Sequence, residues 1–346
     1  MEHDAAPPKN RRAAPFGAVT MATVGRMAGV SQVTVSRALA NPEKVSAETL
    51  KRIRKAIEQT GFVPNALAGA LASRKSGLIT SLVPSITNIV YSSLLHGFSE
   101  IMRAEGYQIM LSETGFDPED EEALIFTHLS RRPDGVLLTG IHHTAPARKM
   151  LLGAGIPVVE IWDITETPVD CCVGFSHPAA GRAVAEFAHS AGYLRAATVS
   201  AGDARAKRRK AAFIERYAEL TGTTVPSVDY PEGPATLERG RKALHDLIEL
   251  HGFTKGLIFC SSDQYAQGVM IEAQARGFSV PEDIAIVGFG DQDFAAHTAP
   301  ALTTVSVDRD ALGRAAANAL LARFRGEEGL DTVIDVGFEI VRRGSA

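Results

Sequence analysis

From Leu78 onward, short apolar runs alternate with longer stretches in which apolar residues recur every three or four positions. The runs LITSLVP, YQIMLSE, GVLLTG, PVVEIWD, CCVGF, AATVSA, GLIFCSS and IAIVGF have the length and composition of buried parallel strands. Amphipathic segments at 94–105, 120–132, 178–191, 205–221, 236–250 and 265–276 predict helices between them. Such alternation predicts a doubly wound α/β architecture, and about eight strands are enough for two sheets. Ligands in open α/β folds sit beyond the carboxyl ends of strands, which makes the residues just after each run the binding candidates.

Residues 19–63 carry a different pattern, that of three short helices. Thr20 is an N-cap candidate, followed by Val24, Met27 and Ala28 at helical spacing and by Gly29 as a stop. Ser31 caps a second helix through Leu39, which Asn41-Pro42 breaks. Ser46 with Thr49 opens a third, with Leu50, Ile53 and Ile57 as its apolar stripe and Gly61 as its end. Two helices joined by the tight turn Ala28-Gly29-Val30-Ser31 form a helix-turn-helix, and the third closes its core.

On the second helix Val30, Val35 and Leu39 are expected to face inward, leaving Gln32, Val33, Ser36 and Arg37 outward. Arg pairs bidentately with guanine, Gln with adenine, and a small apolar side chain meets a thymine methyl. Thr20, Ser31, Thr34, Lys44 and Ser46 are short donors or cations suited to phosphates. The plainer alternative is an ordinary capped three-helix surface.

Charge separates the two regions further. Residues 1–75 hold twelve Lys and Arg against five Asp and Glu, while the rest hold 24 against 35, so a +7 head precedes a −11 body. A basic head suits a polyanion such as DNA, which an acidic body would repel. With 45% hydrophobic and 22% charged residues the composition is that of an ordinary globular protein. The absence of a long apolar run and of a signal-like N-terminus predicts a cytoplasmic protein without a membrane partner. Three cysteines, two of them the adjacent Cys171 and Cys172, make no disulfide framework. No dinucleotide fingerprint, phosphate loop or nucleophile elbow occurs, and His142-His143 and Cys171-Cys172 lack metal-ligand spacing. No enzyme activity, metal or cofactor is therefore expected.

The stretch TMATVGRMAGVSQVTVSRAL, continuing to VSAETLKRIRKAIEQTGFVPNALAGAL, closely resembles the lac-repressor (LacI/GalR) family of bacterial transcription regulators. SDQYAQGVM, VPEDIAIVGFGD, PALTTV and the closing IVRRGS extend the resemblance through a core like that of periplasmic binding proteins. It implies a regulator, most simply a repressor, that acts as a homodimer on a pseudo-palindromic operator in the nucleoid. Gln32, Val33 and Arg37 would read bases in the major groove. Leu71 would be the wedge that a short hinge helix, with Asn65 at its start, pushes into the minor groove.

The hinge can also be read physically. Nine residues are too few for a helix stable alone in water, and Gly69 weakens it further, so it is expected to form only beside a second copy on DNA. The implied organisation is a disordered extension (1–18), the helix-turn-helix domain (19–63), a hinge (64–76) and an effector-binding, dimerising core (77–346). Its N-subdomain would comprise 77–175 and 308–330, and its C-subdomain 176–305 and 331–346.

Within the family, PSITNIVY, the HT pair of HHTAP and GIPVVEIWD are most similar to the gluconate-operon repressors, which implies gluconate or a close aldonate as effector. A neutral sugar is the alternative within the family; a sugar-binding module or α/β enzyme without DNA function is the alternative outside it. Arg209 falls where the family has its ligand-binding arginine and suits a carboxylate, with Arg205 and Lys207 nearby. The competing interpretation of this segment is a solvated basic helix end. Ser85, Asn88 and Tyr91 follow the first strand; Glu160, Trp162 and Asp163 close the fourth. Ser262, Asp263 and Asp291 complete the expected site. Three positions depart from the family pattern: Ser176-His177, Ser262 and Gly290 stand where Asp-Asn, Asn and Asp are common. The loss of acidic groups suits an anionic effector, and His177 would add a cation at mildly acid pH.

Overall fold

The computed structural model describes residues 19–64 and 75–346, which fall into two compact units divided at Ser76 and Gly77. The expected extension and most of the hinge, including Asn65 and Leu71, lie outside the described residues.

The first unit holds α1 (Met21–Ala28), α2 (Gln32–Ala40) and α3 (Ala47–Thr60). Each starts on a hydroxyl side chain that accepts from a backbone N–H three residues on: Thr20 from Thr23, Ser31 from Thr34, Ser46 from Thr49. Gly29 and Gly61 end α1 and α3 in the left-handed conformation, with φ of 67° and 62°. The core is Val24, Ala28, Val35, Ala38, Ile53, Ala56 and Phe62. Leu39, expected inside, is 37% exposed, and Met27, apolar at helical spacing with Val24 and Ala28, is 55% exposed. The inward stripe of α2 runs from Val35 to Ala38 and leaves Leu39 on its flank, while on α1 Val24 and Ala28, four apart, leave Met27 to the side.

The second unit contains two six-stranded sheets. The first has the order β11 (Val333–Asp335), β5 (Cys171–Gly174), β4 (Val158–Ile161), β3 (Gly135–Thr139), β1 (Leu78–Val83), β2 (Gln108–Glu113), parallel throughout. The second runs β12 (Glu339–Val341), β10 (Thr303–Ser306), β9 (Ile284–Phe289), β8 (Gly256–Cys260), β6 (Ala196–Ala201), β7 (Ser227–Tyr230), with only β12 antiparallel. All eight strands expected from apolar runs are present. β2 is a half-exposed edge strand with Leu111 44% exposed, rather than a buried one. Because β11 pairs with β5, residues up to Asp335 belong to the first sheet, and the expected boundary at 330 falls too early.

The expected helices are α4 (Ile89–Ala104), α5 (Pro118–Leu129), α7 (His177–Ser190), α8 (Ala204–Thr221), α9 (Leu237–His251) and α10 (Asp263–Ala275), joined by α6 (Ala145–Ala154) and α11 (Arg309–Phe324). A continuous core runs from Ile79 and Val159 on the first sheet to Phe259 and Val287 on the second, so the two subdomains share packing. The chain passes between them after β5, β10 and β11. No helix among the described residues is long and apolar enough to cross a membrane.

Candidate functional site

A cavity of about 630 Å³ lies between the carboxyl ends of the two sheets. Its charged floor comes from the first two turns of α8. Asp203 caps this helix, accepting from the backbone N–H groups of Arg205 and Ala206 at 3.1 Å each. Arg205 and Arg209 follow four residues apart, on one face, and both are buried. The close seating of α8 on α7 depends on Gly181, where a Cβ would come 2.1 Å from the Arg209 carbonyl oxygen.

Arg209 is fixed on three sides. Nη1 donates to His177 Nδ1 at 2.8 Å, Nη2 donates to the Ser261 carbonyl at 3.0 Å, and the guanidinium stacks 3.7 Å above the Phe289 ring centre. Its Nε is buried without a partner. Burial lowers its pKa to about 10, Asp203 opposes the fall and Arg205 adds to it, so the group keeps its charge at neutral pH. Arg205 donates from Nη2 to Tyr91 Oη at 3.1 Å, while its buried Nη1 has no partner. Burial works against the Asp203 carboxylate, but Arg205, Arg209 and the two backbone donors outweigh it and hold its pKa below the usual value.

Of the ten residues expected to hold an effector, Asn88, Tyr91, Arg209 and Ser262 line this cavity, as does Trp162. The other six do not line it. Ser85 bonds to Thr87 and lines a separate groove along α4 and β2. Glu160 is fully buried, where it accepts from His143 Nε2 at 3.1 Å and from the Val169 N–H at 2.6 Å. Asp163 is paired with Arg208 and accepts from the Ile164 N–H. Asp263 accepts from Thr304 Oγ1 at 2.6 Å and the Gln292 N–H at 2.7 Å, behind the cavity wall. Asp291 pairs with Arg343 at 2.8 Å.

His177 does not add a cation. Nε2 donates to the Trp162 carbonyl at 2.9 Å, and Nδ1, an acceptor from Arg209, has to be unprotonated. Burial, reinforced by Arg209, holds its pKa well below 6.5. It is a neutral acceptor that helps to hold the Arg209 guanidinium in place.

Sequence reasoning left Arg205 as a mere neighbour and omitted Asp203, Asp117 and Glu232, all of which line the cavity; Gln292, which it set beside Asp291 as able to fill the vacancy at Gly290, lines it too. The four-residue spacing of Arg205 and Arg209 was the available signal for the first.

In the head, Gln32, Val33, Ser36 and Arg37 are exposed on one side of α2, Val33 by 66%. Lys44 is exposed in the 3₁₀ turn Pro42–Lys44. Ser31, Thr34, Thr20 and Ser46 are engaged in capping, with Ser31 Oγ 2.9 Å from Thr34 Oγ1. Lys51, Arg52, Arg54 and Lys55 add an exposed basic face on α3. The head thus presents a mostly polar surface flanked by cations.

Residues 20–65 match the lacI family of bacterial regulatory proteins, and residues 185–346 match a periplasmic binding protein-like domain. The HTH-type transcriptional regulator GntR of Pseudomonas aeruginosa is 36% identical over 331 residues, 95% of this chain and 96% of that protein. The regulator of the same name from Escherichia coli is 34% identical over 322 residues, 92% and 95% of the two chains. A lacI-family transcriptional regulator from Silicibacter pomeroyi superposes with a TM-score of 0.88 at 33% identity, covering 94% of this chain and 99% of that one.

Proposed function

The chain belongs to the lacI family of bacterial regulatory proteins, and from that premise we propose that it is a dimeric repressor induced by gluconate or a closely related aldonate. It is a DNA-binding transcriptional regulator rather than an enzyme. The observation that carries the effector assignment is Arg209: a buried guanidinium that lines the cavity, is fixed by His177, Ser261 and Phe289, and has an Nε without a partner. A buried cation held in this way gains most from an anionic partner. The resemblance to the gluconate-operon repressors supports the same choice. Asn88, Ser262 and Gln292 supply amide and hydroxyl groups for a polyol chain.

The test is titration of an operator complex with gluconate, 2-ketogluconate and glucose. Release by an acid at concentrations where glucose is inert is the expected outcome; release by glucose and by neither acid overturns the sugar-acid assignment. Arg209→Met is expected to bind operator and to lose the response. An unchanged response removes Arg209 from the site.

A further inference from the structure

The charged groups around the cavity are unevenly placed. Five charged side chains line it: Arg205, Arg209, Asp203, Asp117 and Glu232. The two arginines are 9% and 5% exposed, and Asp203 lies against both on the same helix end. His177, an acceptor from Arg209, contributes no charge. Asp163 is occupied by Arg208 and does not line the cavity. The floor therefore carries two positive charges against one negative charge. Asp117 and Glu232 are exposed, Asp117 in the loop that enters α5 and Glu232 in the loop that enters α9. They form an acidic mouth over a basic floor.

Each arginine also has a nitrogen that is buried without a partner, Nη1 on Arg205 and Nε on Arg209. Arg205 otherwise donates to Tyr91 and lies 3.6 Å from Asp203, and Arg209 donates to His177 and Ser261, so both guanidiniums keep donor capacity beyond these partners. An unmet buried donor is costly, and a carboxylate is the acceptor that a guanidinium pairs with most strongly.

We propose that the cleft selects a monocarboxylate: Arg205 and Arg209 together receive the single carboxylate of the effector, and Asp117 and Glu232 at the mouth exclude a ligand with an anion at its other end. This rests on the sugar-acid assignment above and sharpens it. A chain of hydroxyl groups ending in CH₂OH donates to the mouth carboxylates. The same chain ending in a second carboxylate brings like charges together and leaves them without counter-charge. One carboxylate on the floor neutralises its surplus positive charge; a second anion finds none. Arg205 is thus a specificity-determining residue alongside Arg209.

The test uses matched pairs that differ only at the sixth carbon: gluconate with glucarate, and galactonate with galactarate, with glucose and galactose as neutral controls. Binding to the full chain is measured by calorimetry. At least one aldonate is expected to bind about tenfold or more tightly than its dicarboxylate partner, with the gap narrowing as salt screens the mouth. Arg205→Gln, checked for folding by circular dichroism, is expected to weaken the aldonate about tenfold or more. In Asp117→Asn/Glu232→Gln the dicarboxylate is expected to gain at least about threefold relative to the aldonate. Asn retains the capping oxygen that Asp117 offers to Glu119.

Equal or tighter binding of the dicarboxylate overturns the monocarboxylate proposal and leaves the sugar-acid assignment standing. Unchanged aldonate binding by folded Arg205→Gln, or unchanged discrimination in the double variant, overturns it also. Binding of neutral sugars alone, or of no ligand in the panel, overturns the assignment beneath it.

Discussion

Individual charged residues in this core act mainly through the partners that packing assigns to them. Glu160 stands at a strand's carboxyl end, where a ligand contact is expected, yet its side chain turns into a buried ladder Glu121–His143–Glu160. Burial opposes protonation of His143, but hydrogen bonds to both carboxylates outweigh it and raise its pKa to about 9. A histidine whose folded pKa exceeds its unfolded value of about 6.5 stabilises the native state fully below pH 6.5 and loses that contribution as pH rises through about 9. The contribution at pH 6 is on the order of 3 kcal/mol. His143→Gln is expected to melt below the parent chain at pH 6 and to converge with it above pH 9. A difference in melting temperature that stays constant between pH 6 and 10 removes the charged ladder. Strand-end position alone did not distinguish Glu160, Asp163 and Asp263 from ligand contacts, because their partners His143, Arg208 and Thr304 are remote in sequence. Arg209 was legible because its position on α8 carries the family resemblance and its charge suits the expected ligand.

At the scale of elements, legibility followed how local the determinants are. The three helices of the head are set by Thr20, Ser31 and Ser46 at their starts and by Gly29 and Gly61 at their ends, all within a few residues of the turns they fix. Long apolar strands such as β9 announce themselves in the same way. β10 reads TTVS, β7 reads SVDY, and β11 and β12 have three residues each; what makes them strands is the sheet edge or neighbour that receives them. α11 escaped notice because its alanines and leucines are buried on several sides, which blurs a one-face period. The helix expected to read bases, α2, has its outer face free, with Arg37 and Gln32 exposed and Val35 and Ala38 holding it to the core. Arg37→Ala is expected to cost about 1–3 kcal/mol on the operator and to relax preference at one base pair, whereas Lys44→Ala weakens specific and random DNA alike. Fluorescence anisotropy with both duplexes measures this. Equal losses on both for Arg37→Ala remove it from base reading.

For the whole molecule, a basic head and an acidic body have to be coupled if a ligand in one is to be felt by the other. The core offers a route: three crossings join its sheets, and the cavity lies between them. Several bonds already span the two subdomains, among them Arg205 to Tyr91, Arg208 to Asp163 and Arg309 to the Gly290 carbonyl. An effector bridging the same faces favours one relative setting of the subdomains, and it changes operator affinity only by its preference for that setting over the DNA-bound one. We propose that, in a dimer joined through the core, such a change draws apart the two segments that carry Leu71, so that the wedge expected there leaves the minor groove. The expectation is that operator affinity falls with effector while the head's affinity for random DNA, set by phosphate contacts, changes much less. Sedimentation at micromolar concentration is expected to show a dimer with and without effector. Effector that splits the dimer, or that weakens random and operator DNA by the same factor, contradicts a hinge-borne switch and places the control in assembly or in the head itself.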